Sequence, residues 1–121
     1  MSRTSFIEYQ GVRIALLNFA GIADTETALA AIAEAESIIT QEPPRSVLTL
    51  TDVTGSHFDS TIVKALRQLA EHDRPFVRAG AVVGLSGLMR VILSTLVHLT
   101  GRDLRAFDTL EEAKQYLVQA K

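Results

Sequence analysis

Asp52, Thr54, Gly55 and Ser56 follow one β-branched apolar run, and Leu85, Ser86, Gly87 and Arg90 follow another. Both sets fall where strands should end, and open α/β sheets bind ligands in the crevice beyond the carboxyl ends of their parallel strands. Asp52, Thr54, Ser86, Gly87 and Arg90 are therefore the candidate binding residues. Arg90 lies about one turn into a helix starting at Ser86, placed to meet an anion at Ser86 and Gly87, where N–H groups are free and the dipole is positive. The competing role is a salt bridge to Asp52, since a half-buried arginine ordinarily has a carboxylate partner. An enzyme built on Asp52 and Arg90 would act on an anionic substrate, but few titratable groups converge here.

Other chemistries fail on spacing. Gly84-Leu85-Ser86-Gly87 lacks the lysine and the length of a Walker loop. With Leu88 it also misses the hydrolase elbow Gly-x-Ser-x-Gly, its second glycine arriving one place early. A Ser86, His98, Asp103 triad would have to bridge about 18 Å of helix at 1.5 Å per residue. His57, His72 and His98 have no partner at metal-ligand spacing. The chain has no cysteine, which removes disulfides, thiolate catalysis and cysteine-ligated metals. No metal and no cofactor is expected. Glu34 and Glu36, two apart on a helix, diverge and form no acid/base pair. Arg102 and Arg105 beside Asp103 read as surface ion-pair partners.

The elements that must position these residues follow from periodicity and punctuation. Phe6–Tyr9 and Val12–Phe19 read as strands turning at Gln10-Gly11. Asp24 caps a helix to about Gln41, with Ala28, Leu29, Ile32, Ala35 and Ile39 inward and Glu26, Glu34 and Glu36 mostly outward; Pro43-Pro44 stops it. Val47–Val53 is a third strand. A second helix runs from Asp59 or Ser60 to His72, burying Ile62, Val63, Leu66, Leu69 and Ala70. Pro75 opens a fourth strand, Leu104–Phe107 is a fifth, and Thr109 with Glu112 makes a capping box for a last helix buried through Leu110, Ala113, Leu117 and Ala120. The order ββαβαβαβα predicts an α/β fold with a largely parallel sheet and one antiparallel edge strand.

Ala79–Leu99 decides between this fold and a membrane span. Ten Leu, Ile and Val residues at about −0.3 to −0.6 kcal/mol each roughly offset Arg90 at about +2.5 to +3.5, so hydropathy alone is near balance. Pattern favours a buried strand from Phe76 to Gly84, a turn, and a helix from the Ser86 cap to a stop at Gly101. No aromatic belt or basic cluster flanks the segment, so no transmembrane helix is expected. In that helix Arg90, Ser94 and His98 form one narrow polar stripe, leaving about twice the apolar surface that a sheet-packed helix needs. Leu93, Leu96 and Val97 are the candidate interface residues. A neighbouring helix, a second copy of the chain, or an apolar ligand could cover them.

The 121-residue chain is long enough for one domain with a substantial core, and its net charge of −2 favours neither nucleic acid nor an anionic membrane. Met1-Ser2-Arg3-Thr4 lacks an apolar signal core, so a cytoplasmic location is expected.

The stretches Ser46-Val-Leu-Thr-Leu-Thr-Asp-Val-Thr54, Pro75-Phe-Val-Arg-Ala79, Ala81-Val-Val-Gly84, Ser86-Gly-Leu88, Thr100-Gly-Arg-Asp-Leu104 and Phe107-Asp-Thr-Leu-Glu-Glu-Ala113 resemble the small bacterial SpoIIAA-like domains. Those are relatives of the STAS (anti-sigma-factor antagonist) fold, often grouped with the CRAL-TRIO lipid-binding fold. The resemblance spans nearly the whole chain. It implies one domain, residues 1–121, with a mixed, mostly parallel sheet of about five strands packed by about four helices. In partner-switching STAS proteins a phosphorylatable serine follows an aspartate at the start of the helix after the third strand, in the pattern Asp-Ser-Ser/Thr-Gly-Leu. Asp59-Ser60-Thr61 matches the first three positions, while Ile62-Val63 replaces Gly-Leu and the loop Thr54-Gly55-Ser56-His57 is more polar than in that family. The resemblance makes Ser60 the candidate phosphoacceptor. A phosphate there gains from the helix dipole, yet Asp59 and Ser60 also suit a plain helix cap.

Fold alone does not assign function. The first expectation is a non-enzymatic regulatory or protein-interaction domain, homodimeric, with a regulatory protein partner. The alternative is a carrier of a small apolar or lipid-like ligand, and the third is the enzyme on Asp52 and Arg90.

Overall fold

Gln10 and Gly11 both adopt positive φ, 52° and 78°, the twist that suits a two-residue hairpin turn. They join β1 (Thr4–Tyr9) to β2 (Val12–Asn18), antiparallel with Tyr9 opposite Val12. The computed structural model describes residues 2–100 and 104–120, the side chains of Leu96, Leu99 and Thr100 excepted. After the hairpin come α1 (Thr25–Thr40), β3 (Val47–Asp52), α2 (Ser60–Asp73), β4 (Val77–Val83), α3 (Gly87–Thr100), β5 (Leu104–Phe107) and α4 (Leu110–Gln119). The five strands form one sheet in the order β1-β2-β3-β4-β5, parallel from β2 onward. The segment 79–99 is thus split into strand and helix, and no helix among the described residues is long and apolar enough to cross a membrane. The expected stop at Gly101 lies outside the described residues, as do Arg102 and Asp103.

Successive right-handed crossovers in one direction stack their helices on one face of a sheet. α1 and α2 cover the face formed by Ala15, Leu17, Val47, Val77 and Val82, with Leu93 of α3 packed against the same cluster. α4 returns across the other face, where Ala113 and Leu117 meet Val12, Ile14, Leu48, Leu50, Ala79, Ala81 and Val83. A register shift between β3 and β4 pairs Val47 with Val77 but Leu48 with Ala79. Arg78 is the extra residue, so Val77 and Val82 can face the same side although five positions separate them.

The caps are where local chemistry places them. Asp24 Oδ2 accepts from the Thr27 N–H at 2.9 Å, and Thr109 Oγ1 accepts from the Glu112 N–H at 3.2 Å. Three assignments need correction. Leu29 is exposed and Ala31 takes its place inside, because Leu29 stands about 100° round the helix from the stripe centred on Ala28, Ile32, Ala35 and Ile39. Leu110 is also exposed, since α4 is buried only from Ala113 onward. Glu34 turns back to the sheet edge, accepting from the Arg3 N–H at 2.8 Å and the Thr4 N–H at 3.0 Å.

Candidate functional site

Asp52 ends β3 and is spent on its own turn: its Oδ1 accepts from the Thr54 N–H at 3.0 Å and the Thr54 hydroxyl at 2.6 Å. That is an Asx turn, a side chain standing in for a backbone carbonyl. Thr54 in turn presses on Gly84 at the end of β4. Gly84 has φ +92°, and a Cβ there would lie 2.3 Å from Thr54 Oγ1 and 2.6 Å from Thr54 N. Only glycine lets these two turns touch. Ser56 ties the same loop to the connection between β2 and α1, its hydroxyl donating to the Phe19 carbonyl and accepting from the Ile22 N–H at 2.9 Å. These polar residues are structural fasteners.

Ser86 caps α3, its carbonyl accepting from the Arg90 N–H at 2.9 Å and its Oγ weakly from the Met89 N–H at 3.4 Å. Gly87 is the first residue of the helix. The Arg90 guanidinium donates to Asp108 Oδ1 at 2.6 Å, and this corrects the expected pairing with Asp52. The reason is topological: β5 lies beside β4, so the turn after β5 brings Asp108 to Arg90 while Asp52 serves Thr54. Both partners are open to water, where such a pair contributes about 0–1 kcal/mol. The candidate binding residues therefore fall into two groups, Asp52 with Thr54 and Ser86, Gly87 with Arg90, and no hydrogen bond or ion pair joins Asp52 to Arg90.

Asp59 and Ser60 separate in role. Asp59 Oδ1 accepts from the Ile62 N–H at 2.8 Å and its Oδ2 from the Thr25 hydroxyl at 2.8 Å. The Ile62 N–H first and the Thr25 hydroxyl second hold this carboxyl below its usual pKa. Asp59 is thus the N-cap of α2, and it clasps the N-terminus of α1. Ser60 is the first helical residue, exposed, and the capping bonds do not use its hydroxyl.

The concave feature lies elsewhere. Between the sheet and helices α2 and α3 is a half-enclosed cavity of about 100 Å³, walled by Leu17, Val82, Leu69, Met89, Ile92 and Leu93 among others. Neither Asp52 nor Arg90 lines it. Its polar lining comes from Thr49, Thr51 and Asp73. Asp73 is buried, with His72 Nδ1 2.9 Å from its Oδ1, and His72 Nε2 is 3.0 Å from the Thr40 hydroxyl. Thr49 is 2% exposed. Among the described residues its Oγ1 and that of Thr4 are the buried side-chain atoms without a hydrogen-bond partner. Of these two, Thr49 faces the cavity. Leaving such a hydroxyl unpaired costs about 1–3 kcal/mol. Its register neighbour on β4 is Gly80, so no side chain stands beside it there. Sequence reasoning passed over this site, because Thr49 and Thr51 read as ordinary strand alternation. The available signal was a strand with two threonines on the face that also has to meet helices.

α3 divides its apolar surface. Leu93 turns into the cavity and Val97 is half-buried, while the Leu96 side chain is outside the described residues. Among the described residues of α3, the large apolar side chains left in water are Leu88 at 72% and Val91 at 63% exposure. No group of three or more metal-ligating side chains gathers among the described residues.

No protein-family model matches the chain. No curated protein matches it either. Solved structures do. An uncharacterized protein of the DUF3478 family with a SpoIIAA-like fold, from Shewanella loihica PV-4, superposes with a TM-score of 0.75 at 14% identity, covering 94% of this chain and 91% of that one. An anti-sigma factor antagonist from Mycobacterium paratuberculosis gives 0.60 at 19% identity, over 95% and 92%. An anti-sigma-factor antagonist (STAS) domain protein from Planctomyces limnophilus gives 0.57 at 17% identity, over 95% and 97%. At these identities the likeness concerns architecture. With its mixed five-stranded sheet and four helices, the chain folds as a SpoIIAA/STAS-like domain.

Proposed function

We propose that the protein is a non-enzymatic regulatory domain that meets a protein partner at the N-terminal end of α2, with Ser60 as its phosphoacceptor. The observation that carries this reading is the division of labour at Asp59-Ser60. Asp59 supplies the cap by itself, so the Ser60 hydroxyl is exposed and free of that duty. A phosphate on Ser60 would sit at the positive dipole end of a 14-residue helix. Two architectural neighbours named as anti-sigma factor antagonists support a protein partner. Self-association through α3 belongs to the same reading, and with Leu93 turned inward its outward apolar residues among those described are Leu88 and Val91. The test is intact-mass analysis of protein isolated from its host, followed by partner binding of Ser60→Ala and Ser60→Asp. A phosphate adduct lost in Ser60→Ala, with Ser60→Asp weakening the partner complex, is expected. Equal binding by all three forms, with no adduct, overturns the phosphoacceptor role.

The cavity favours a second reading, a carrier of a small apolar molecule held between the sheet, α2 and α3. Pockets of this kind combine apolar walls with a few placed polar groups.

A further inference from the structure

We propose that the cavity selects small neutral molecules carrying one hydroxyl on an apolar body, with Thr49 as the residue that reads the hydroxyl. This rests on the carrier reading and names its ligand class.

Three observations converge. Size is the first: a half-enclosed cavity of about 100 Å³ is smaller than the roughly 150 Å³ engineered cavity that takes up benzene, so a single ring enters only with one edge at the open mouth and a long acyl chain does not fit. The second is the orphaned group. Thr49 lines the cavity, and its Oγ1 is buried with no partner among the described residues, whereas native proteins pair nearly all such atoms. A hydroxyl both donates and accepts, so a ligand alcohol or phenol can satisfy Thr49 in either sense. The third is charge. The same wall holds the buried carboxyl of Asp73, and a carboxylate ligand would have to give up its hydration in a poorly solvated place beside another acid. A fatty-acid-like head is thereby disfavoured and a neutral hydroxyl preferred.

Phenol, toluene and benzoate separate these terms, since phenol and toluene differ only in hydroxyl for methyl. Binding is followed by methyl NMR of the full chain, reading Thr49 and Leu93 directly. Wild type is expected to bind phenol about three- to tenfold tighter than toluene, the range a neutral hydrogen bond spans, and benzoate more weakly than either. Thr49→Val keeps the shape and removes the hydroxyl, so phenol should lose its advantage and toluene should bind at least as well. The unliganded variant should melt no lower than wild type, because an unpaired buried hydroxyl has gone. Equal binding of phenol and toluene by both forms overturns the role of Thr49 and leaves the carrier reading standing. Benzoate binding as tightly as phenol overturns the neutral-head selection. Failure of all three probes to shift the cavity methyls overturns the carrier reading and this proposal with it.

Discussion

On one side of the sheet a single helix, α4, seals Ile14, Leu50, Ala79 and Ala81 almost completely from water. On the other side stand three helices, and a cavity with an unpartnered hydroxyl remains beneath two of them. Side-chain size explains the contrast better than the number of covering elements. β4 offers α4 two alanines, and α4 answers with Ala113, so the backbones approach closely and Leu117 fills what is left. Toward α2 and α3 the sheet offers Thr49 and Thr51 beside large side chains from loops and helices, Phe19, Phe58 and Met89. Bulky groups prop the helices away from a polar patch that they do not satisfy. Packing is close under α4, and a void remains beneath α2 and α3.

The largest test of this contrast is a pair of truncations. Leu117→Ala should cost about 3–5 kcal/mol, since Leu117 is wholly buried and its neighbours cannot collapse into the space. Leu93→Ala should cost about 1 kcal/mol, because Leu93 is half-buried beside a void that already exists. Chemical denaturation of both variants measures the difference. Equal losses would mean that the cavity side is packed as tightly as the α4 side.

Next in size is the seam from which α3 departs. Gly84→Ala would force a Cβ within 2.6 Å of the Thr54 backbone nitrogen at a φ of +92°. A loss of about 2–3 kcal/mol is expected, from steric strain and an unfavourable backbone conformation together. Gly87→Ala is the control, since a Cβ at Gly87 meets nothing within 4 Å, and it should change stability little.

Acid should distinguish the two sides again. Asp24 is held below its ordinary pKa of 3.8 by the Thr27 N–H and hydroxyl, and Asp59 below 3.8 by the Ile62 N–H and the Thr25 hydroxyl. Burial pushes Glu34 up, but the Arg3 and Thr4 N–H groups outweigh it and its pKa falls below 4.5. The folded state therefore binds protons less readily than the unfolded chain at all three groups. Their contribution is complete above these ordinary values and is lost as pH falls through the lowered folded ones. All three lie on α1 or at the starts of α1 and α2, whereas the cap of α4 is the hydroxyl of Thr109. Amide-exchange protection should decline in α1 and α2 before α4 as pH drops from 5 toward about 3. Asp24→Asn with Asp59→Asn should flatten that decline, leaving the part owed to Glu34.

Local chemistry made most of the fold readable. Gln10-Gly11, the Asp24, Asp59 and Thr109 caps, and Pro43-Pro44 after α1 each act within a few residues, so the element order follows from the chain directly. The site was less readable because its contacts are not local. Arg90 pairs with Asp108 through strand order, which periodicity does not encode. The cavity arises where residues from β2, β3, β4, α2 and α3 meet, and no one of those segments announces it. Ser60 is an intermediate case: its place at the start of α2 was legible, but only the structure shows that Asp59, one residue earlier, takes the cap.

The smallest expected effect on folding concerns the outer side of α3, where exposure and function pull apart. Leu88 and Val91 stand 72% and 63% exposed, so Leu88→Ser with Val91→Ser should shift the stability of an isolated chain by no more than about 0.5 kcal/mol each. If copies of the chain associate through α3, the same double variant should convert a particle of twice the chain mass to one of 13.2 kDa by light scattering. A wild type already at the single-chain mass rules out that association, and the two residues are then scattered surface apolar groups of the ordinary kind. A large loss of stability in a monomeric form would instead mean that α3 packs more firmly on the sheet than its neighbours indicate, and the contrast between the two faces would shrink accordingly.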